Sequence, residues 1–398
     1  MLNTLSDLFL RLKEFLVYQK TADSIEEGLL WLDVLISKEQ YNEAKKHLKL
    51  LQYVCYEKPP QSDLTYFFQF ALSYIDCYKI PGKSIYEGYK DLISCVSTLD
   101  TFYAFAQVKL ACEIASRQKF LALEKLPQDG ESQSVYIPTL HFSPDLLEAN
   151  PLIHIYYKTY LLITTESSIQ YDNIITLLKQ YGRQIDTSEQ IILIAYLQNY
   201  AANELLKGNL VFVEKAHELN LLGLEYGTFT AKGLLSSGQY NNIIVFACRA
   251  QKFDWVKTFI EQYTPAVETK SGVNTKNISL AIVAFRQKEF QSALQLLDQV
   301  DTTDIEHTAR LKPLVLACSY ELNKIDMDSH LISMSKAFSK QLSREKELRK
   351  DTIVGMRNFI RLFHKLLNKK YDKNQLVNDI NKSKVVLKDW LLEKATSK

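Results

Sequence analysis

Seven histidines are the side chains of this 398-residue chain best suited to metal binding or acid–base catalysis. They lie far apart, and His217-Glu218 is not followed by the second histidine of a helix-borne zinc site. The glycines do not cluster into a phosphate-binding loop, and no Gly-x-Ser-x-Gly nucleophile elbow occurs. We therefore predict a protein without catalytic residues, bound metal or cofactor. A helical enzyme whose site is assembled from distant residues is the alternative.

The six cysteines also lack the spacing of a metal site or a redox motif, since none forms a Cys-x-x-Cys pair. Each lies among apolar neighbours, which predicts buried free thiols and a reducing compartment. The first residues, MLNTLSDLFLRLKEFL, form an amphipathic pattern without the apolar core and cleavage signature of a signal peptide. No stretch approaches ~18 uninterrupted apolar residues. We expect a cytoplasmic protein with no membrane span.

Basic side chains are concentrated near the carboxyl end. Residues 336–398 carry 17 Lys/Arg and 7 Asp/Glu, whereas the preceding residues carry 31 and 39, for a total of +2. Arg357, Arg361, Lys365 and Lys369 recur at four-residue steps, which places them in a basic stripe along one helix face. Such a stripe can hold the phosphates of a nucleic acid. The alternatives are an acidic protein partner, a solvated face and a membrane surface, and we consider nucleic acid the less favoured ligand.

The elements that position these side chains are predicted to be helices. The chain contains only 12 Gly and 9 Pro, and apolar residues recur at helical spacing almost throughout. Separate helical stretches are expected at 83–98, 100–117 and 119–125. A long irregular loop is expected at 127–144, where SVYI is a possible strand, and a shorter loop at 267–276.

A local pattern of an aromatic or large apolar residue, two polar residues and a small or apolar residue recurs along the chain. It occurs at Phe290 to Ala293 and at Tyr41 to Ala44, and less completely, with Trp255 at the second polar position, at Phe253 to Val256; apolar residues at helical spacing follow each. From residue 171 onward, the anchors of this pattern are separated by 35 to 46 residues, which is the period of a helical hairpin. The small residue is expected where the second helix meets the first.

These residues resemble the tetratricopeptide repeats (TPR). In residues 274–304, Leu280, Ala281, Ala284, Phe290, Ala293, Leu297 and Val300 occupy the packing positions of that repeat, and residues 22–53 match similarly. The resemblance implies an all-α fold, an α-solenoid of antiparallel hairpins that winds into a TPR-like superhelix. We expect hairpin repeats at 1–126, the irregular loop at 127–144, central TPR-like repeats at 145–335, and basic helices that cap the array at 336–398.

In proteins of this family the first helix of each unit lines a concave groove that binds peptides. Transferred to this chain, the resemblance implies a groove formed by Val245, Cys248, Arg249, Ile278, Ile282, Phe285 and Arg286. Arg249 and Arg286 are 37 residues apart at equivalent positions, so they are expected on one face, where they suit a carboxylate or phosphate. The alternative is that each arginine pairs with a local glutamate. We predict a non-catalytic scaffold that binds a protein or peptide, with a nucleic-acid-associated regulator as the alternative.

Overall fold

A computed structural model describes residues 24–57, 61–124, 139–231, 233–268, 271–301, 305–322, 328–344, 350–368 and 370–397. The chain divides into two compact units: residues 1–207 with 221–228, and residues 208–220 with 229–398. Each unit is built of helices that pack mainly on their sequence neighbours. The all-α class predicted from the sequence is therefore confirmed. Within the described residues, no helix is both long and apolar enough to cross a membrane.

The first unit consists of helices. They are α1 (Ile25–Ser37), α2 (Tyr41–Tyr56), α3 (Asp63–Tyr78), α4 (Ile85–Glu124), α5 (Pro144–Ala149), α6 (Pro151–Thr165), α7 (Ser168–Tyr181), a 3₁₀ turn (Gly182–Gln184) and α8 (Thr187–Leu206). Helix α9 (Val211–Glu225) is divided between the two units at residue 220. The predicted loop at 127–144 falls mostly outside the described residues, including SVYI. Residues 139–144 are described, and Pro144 is already the first residue of α5, so the loop ends one residue earlier than predicted.

Helix α4 differs from the prediction because it is one helix of 40 residues instead of three. Near the predicted break at residue 98, threonine side chains bond to the backbone of the preceding turn. The hydroxyl groups of Thr98 and Thr101 donate to the carbonyls of Ser94 and Ser97 at 3.1 and 2.8 Å. With no proline in the segment and a single glycine, Gly88, nothing interrupts the helical hydrogen bonds.

The second unit contains the same kind of hairpin together with a small sheet. Its elements are β1 (Thr230–Ala231), β2 (Leu234–Ser236), α10 (Ser237–Arg249), α11 (Phe253–Tyr263), a 3₁₀ turn (Thr264–Ala266), β3 (Val267–Glu268), α12 (Gly272–Arg286), α13 (Phe290–Asp298), α14 (Ile305–Leu322), α15 (Asp328–Arg344), α16 (Lys350–Leu367), α17 (Lys373–Lys382) and α18 (Lys388–Ser397). In the sheet, β2 pairs antiparallel with β1 and parallel with β3. The predicted loop at 267–276 is therefore wrong at both ends.

Three hairpins, α1/α2, α10/α11 and α12/α13, have the same turn. In each turn a residue other than glycine adopts a left-handed conformation: Glu39 (φ 58°), Gln251 (φ 58°) and Lys288 (φ 64°). The next N–H bonds to a carbonyl five residues back, as in Lys252 to Ala247 at 2.9 Å. This is the Schellman arrangement that ends a helix. The shared geometry shows that these three pairs are helical hairpins of one kind.

The repeat residues lie where the pattern predicts. Tyr41, Phe253 and Phe290 are the first residues of the second helices. Ala44 and Ala293, three positions later, are both completely buried. Two packed helices approach each other most closely where their side chains are small. These alanines therefore set the separation of the two helices in each hairpin.

A buried ion pair lies inside the first unit. Glu189 is 1% exposed, and its carboxylate accepts a hydrogen bond from Lys109 at 2.6 Å and another from the Tyr156 hydroxyl. Lys109 also reaches the exposed carboxylate of Asp63 at 3.2 Å. Burial lowers the pKa of Lys109, but the hydrogen bonds and negative charges of its two partners outweigh burial and raise it above its usual value.

Candidate functional site

The candidate site lies in the second unit, at the carboxyl ends of helices α10, α12 and α14. Helices α10 and α12 end at Arg249 and Arg286, and Glu321 is the penultimate residue of α14. Side chains of all three interact with the last helix of the chain, α18. A helix terminus of this polarity favours a basic side chain, so Arg249 and Arg286 suit their positions irrespective of any ligand.

Arg249 and Arg286 converge on one carboxylate, and we call these two arginines the clamp. Arg249 donates from Nε and Nη2 to Oδ2 of Asp389 at 2.9 and 2.6 Å. Nη1 of Arg286 lies 3.7 Å from the same oxygen. Burial lowers the pKa of the Arg286 guanidinium, the charge of Asp389 raises it, and the charge of Arg249 lowers it further. Two cations held this close by the fold require an anion between them, and Asp389 supplies it.

Trp390 follows Asp389 and anchors α18 in the apolar core. The side chain is 4% exposed, and its ring centroid lies 6.4 Å from Phe285, 5.6 Å from Tyr320 and 6.2 Å from Phe363. The indole Nε1–H donates to Oε1 of Glu321 at 2.6 Å. The indole therefore buries its apolar surface while its one polar atom is satisfied.

A second charge pair fixes the direction of α18. Lys394 lies 2.7 Å from Oε1 of Glu321, so the first turn of α18 meets arginines and a later turn meets a glutamate. Burial lowers the pKa of Lys394, but the hydrogen bond and charge of Glu321 prevail and raise it overall. At the exposed edge, Lys288 and Glu393 are 3.5 Å apart, and that pair contributes little because water screens it. Reversing α18 would bring like charges together.

The residues predicted for the groove have different environments. The clamp arginines come together as expected, but their partner is the distant Asp389 and not a local glutamate. Ile278 and Phe285 are buried in the core of the unit, and Ile282 packs against that core half-buried. Two predicted residues of α10 complete the set. Val245 is half-buried, and burial raises the pKa of the Cys248 thiol to about 12. Their use as a peptide groove stays a prediction.

The predicted basic stripe is partly used within the chain. Lys365 bonds to Asp379 at 2.6 Å and to the Tyr371 hydroxyl at 2.7 Å. Arg361 donates to the Ser383 hydroxyl at 3.0 Å. Arg357 is exposed, and Lys369 lies outside the described residues. A ligand at this stripe therefore competes with intrachain partners for Lys365, and the stripe as a phosphate site stays a prediction.

A serine and a histidine meet in the core without the geometry of a nucleophile and its base. Ser335 is fully buried and lies 2.5 Å from Nε2 of His364. Its hydroxyl already donates to the carbonyl of Ile332 at 2.9 Å, so it accepts a hydrogen bond from the histidine. Burial lowers the pKa of His364, with a smaller effect from Lys336. The pair is a core contact. Among the described residues no cluster of side chains could hold a metal ion.

Sequence reasoning missed Asp389, Trp390, Glu321 and Lys394. A signal was present in KDWLLEK, residues 388–394, where one of the three tryptophans of the chain stands beside an acidic residue within an apolar run. Within residues 336–398 the arginines and lysines, which are in excess, were predicted as the ligand-binding side chains instead. The few acidic residues of that region include the one that the clamp binds.

Comparisons with known proteins give little for this chain. No protein-family description and no curated protein matches it. Among solved structures, the crystal structure of the P58(IPK) TPR domain is similar over 94% of this chain and 97% of that chain, with 11% identity and a TM-score of 0.22. The hairpin fold described above rests on the helices and turns of this chain themselves.

Proposed function

We propose that this protein is a non-catalytic scaffold that binds a helical segment of a partner protein at the clamp. A single observation carries the proposal: two arginines from equivalent positions of consecutive hairpins hold one carboxylate of a helix. In the structure that helix is α18 of the chain itself. We infer that α18 occupies the site in the manner of a partner helix and that a partner exchanges with it.

The chemistry of α18 indicates what such a partner must carry. An aspartate is required for the clamp, because charge-assisted bonds from arginine to carboxylate are among the strongest in proteins. An aromatic side chain must follow it, since Trp390 fills the space between Phe285 and Phe363. Tryptophan and arginine commonly dominate the energy of protein interfaces. A basic residue one turn later completes the match with Glu321.

A labelled peptide tests the proposal. A fluorescein-labelled peptide of residues 384–398 is titrated by anisotropy against the full chain and against the Trp390→Ala variant, whose own helix is less firmly held. We expect the variant to bind the peptide at least about 100-fold more tightly than the wild-type chain. Adding Arg249→Glu and Arg286→Glu to the variant should abolish binding, whereas Arg357→Glu, a charge reversal at an exposed arginine of the same unit, should not.

Two results contradict the proposal. A peptide whose Asp389 is replaced by lysine should not bind. If it bound as tightly as the unchanged peptide, the clamp would not recognise the carboxylate. Absence of peptide binding to the Trp390→Ala chain, with circular dichroism unchanged from wild type, would mean that α18 is a permanent part of the fold.

We also propose that the protein is cytoplasmic. All six cysteines are free thiols, and five of them are buried. Thiols in this state fit a reducing compartment.

A further inference from the structure

A row of apolar side chains on α4 is exposed to solvent along more than half of that helix. It begins at Ile85, which is 96% exposed, and ends at Leu110, which is 63% exposed. Steps of four and three residues alternate along it. We call this row the α4 seam; its members are Ile85, Tyr89, Leu92, Val96, Leu99, Tyr103, Ala106 and Leu110. Alternating steps of this kind are the heptad spacing of a helix that pairs with a second helix.

The seam is distinct from the faces by which α4 packs within its own unit. Phe102 of α4 lies on the face turned toward α3, where its ring centroid is 5.7 Å from that of Phe67. Phe105 lies between α3 and α6, with its ring centroid 4.8 Å from that of Tyr66 and 5.6 Å from that of Tyr156. The Cys112 thiol donates to the carbonyl of Tyr156 in α6 at 3.3 Å. At 3.6 residues per turn the α4 seam adjoins the face that carries Phe102 and lies on the side of the helix opposite Phe105 and Cys112.

The exposed area matches what a stable interface needs. Seven seam side chains other than Ala106 are between 42% and 96% exposed. At roughly 100 Å² each they offer roughly 700 Å² per chain, close to the ≈ 800 Å² per partner of a standard interface. Monomeric proteins rarely leave a contiguous apolar patch of this size uncovered. The seam spans about 38 Å of helix, long enough for several layers of paired side chains.

The seam is complementary to itself when two copies run antiparallel. The apolar positions of a heptad are called a and d. A twofold axis between residues 97 and 98 places each a position of one copy opposite a d position of the other, as an antiparallel pair requires. Large side chains then face smaller ones, with Tyr89 opposite Ala106 and Val96 opposite Leu99. The layers are 85 with 110, 89 with 106, 92 with 103, and 96 with 99. A parallel pair would instead place Tyr89 against Tyr89 and Tyr103 against Tyr103.

We infer that the protein forms a homodimer through an antiparallel pairing of two α4 seams. The occupant is a second copy of this chain, and the inference does not depend on the proposed function of the clamp, which lies in the other unit.

The dimer is tested with three substitutions on the full chain. Sedimentation equilibrium of the wild type, over roughly a hundredfold range of concentration around 1 µM, should give twice the mass of one chain. Leu92→Lys should raise the dissociation constant at least about 100-fold, because each interface then contains two buried ammonium groups. Ile93→Lys is the matched control, since Ile93 is 53% exposed but lies about 100° around the helix from Leu92.

The register is tested by a compensating change. Residue 92 faces residue 103 of the second copy only in the antiparallel pairing, so Leu92→Lys combined with Tyr103→Glu should bind at least about tenfold more tightly than Leu92→Lys alone. Both positions are exposed within one chain, so the variants should fold, which circular dichroism verifies.

Each other outcome overturns the inference. A monomeric wild type would mean that the seam binds a different protein. A dimer that Leu92→Lys leaves intact, or that Ile93→Lys disrupts equally, would mean that the interface lies elsewhere. Failure of the double variant to recover would exclude the antiparallel register.

Discussion

Removing the lysine of the buried ion pair in the first unit should be far more damaging than removing its glutamate. The glutamate Glu189 has a side chain 2% exposed, whereas that of Lys109 is 27% exposed and has a second partner in Asp63. Lys109→Met leaves a buried carboxylate with only the Tyr156 hydroxyl to stabilise it. Glu189→Gln leaves an ammonium that water and Asp63 still reach.

The two substitutions should therefore differ by at least about 2 kcal/mol in the free energy of unfolding. Breaking a buried pair so that one charge is left without its partner costs about 3–5 kcal/mol. Exchanging the carboxylate for an amide of the same shape costs about 1 kcal/mol, since the amide oxygen still accepts a bond from Tyr156. The double change of Lys109 and Glu189 to methionine should recover part of the loss, because no buried charge then remains.

The measurement is a urea titration followed by far-ultraviolet circular dichroism, with thermal melting as a second observable. At about 2–4 °C per kcal/mol for a unit of this size, Lys109→Met should lower the melting temperature of the first unit by roughly 6–20 °C. Glu189→Gln should lower it by roughly 2–4 °C. Equal losses, or a larger loss for Glu189→Gln, would refute the reasoning that burial of the carboxylate sets the energy of the pair.

Three further changes test the hairpins and their ion pairs. Ala293→Leu should lower the free energy of unfolding by about 1–3 kcal/mol in a urea titration, because Ala293 is completely buried; an unchanged midpoint would contradict the hairpin packing. Gln251→Gly should raise it by about 0.5–1 kcal/mol, since glycine adopts the left-handed φ of 58° without strain, whereas Lys252→Gly, at φ −86°, should lower it. Hydrogen bonds from two lysines lower the pKa of Glu166 from 4.5 to about 2. A lowered pKa stabilises the fold above the ordinary pKa, so Glu166→Gln should cost at most about 1 kcal/mol at pH 7, and this difference should vanish as the pH falls from 4.5 to about 2.

The hairpins were predictable because their signal is local. An aromatic residue and an alanine three positions later report the start of a second helix, and Phe290 and Ala293 lie where that rule places them. The left-handed turn residues were not predictable, because Gln251 and Lys288 occupy positions where glycine is usual. Their conformation is imposed by the packing of the two helices that they join.

The clamp was half predictable. The equivalence of Arg249 and Arg286 followed from the repeat period, but their partner lies more than a hundred residues away in sequence, at Asp389. Nothing in the spacing of one sequence reports such a contact. The α4 seam was not predicted for a different reason. The sequence prediction divided this helix near residue 98, and each of the two predicted stretches alone contains only two or three of the alternating steps.

Occupation of the clamp by the chain's own helix has a consequence for how any partner binds. Burial of Trp390, Leu391 and Ala395 holds α18 in place by about 5 kcal/mol, at the usual value for burying such side chains. A free site is then populated roughly once in several thousand molecules, and the apparent affinity for a partner helix falls by that factor. Trp390→Ala removes about 3 kcal/mol of the closing energy, which is the basis of the 100-fold gain expected for the labelled peptide. A gain below about tenfold would mean that α18 does not compete with the peptide, and the proposed exchange would fail even if some peptide bound elsewhere.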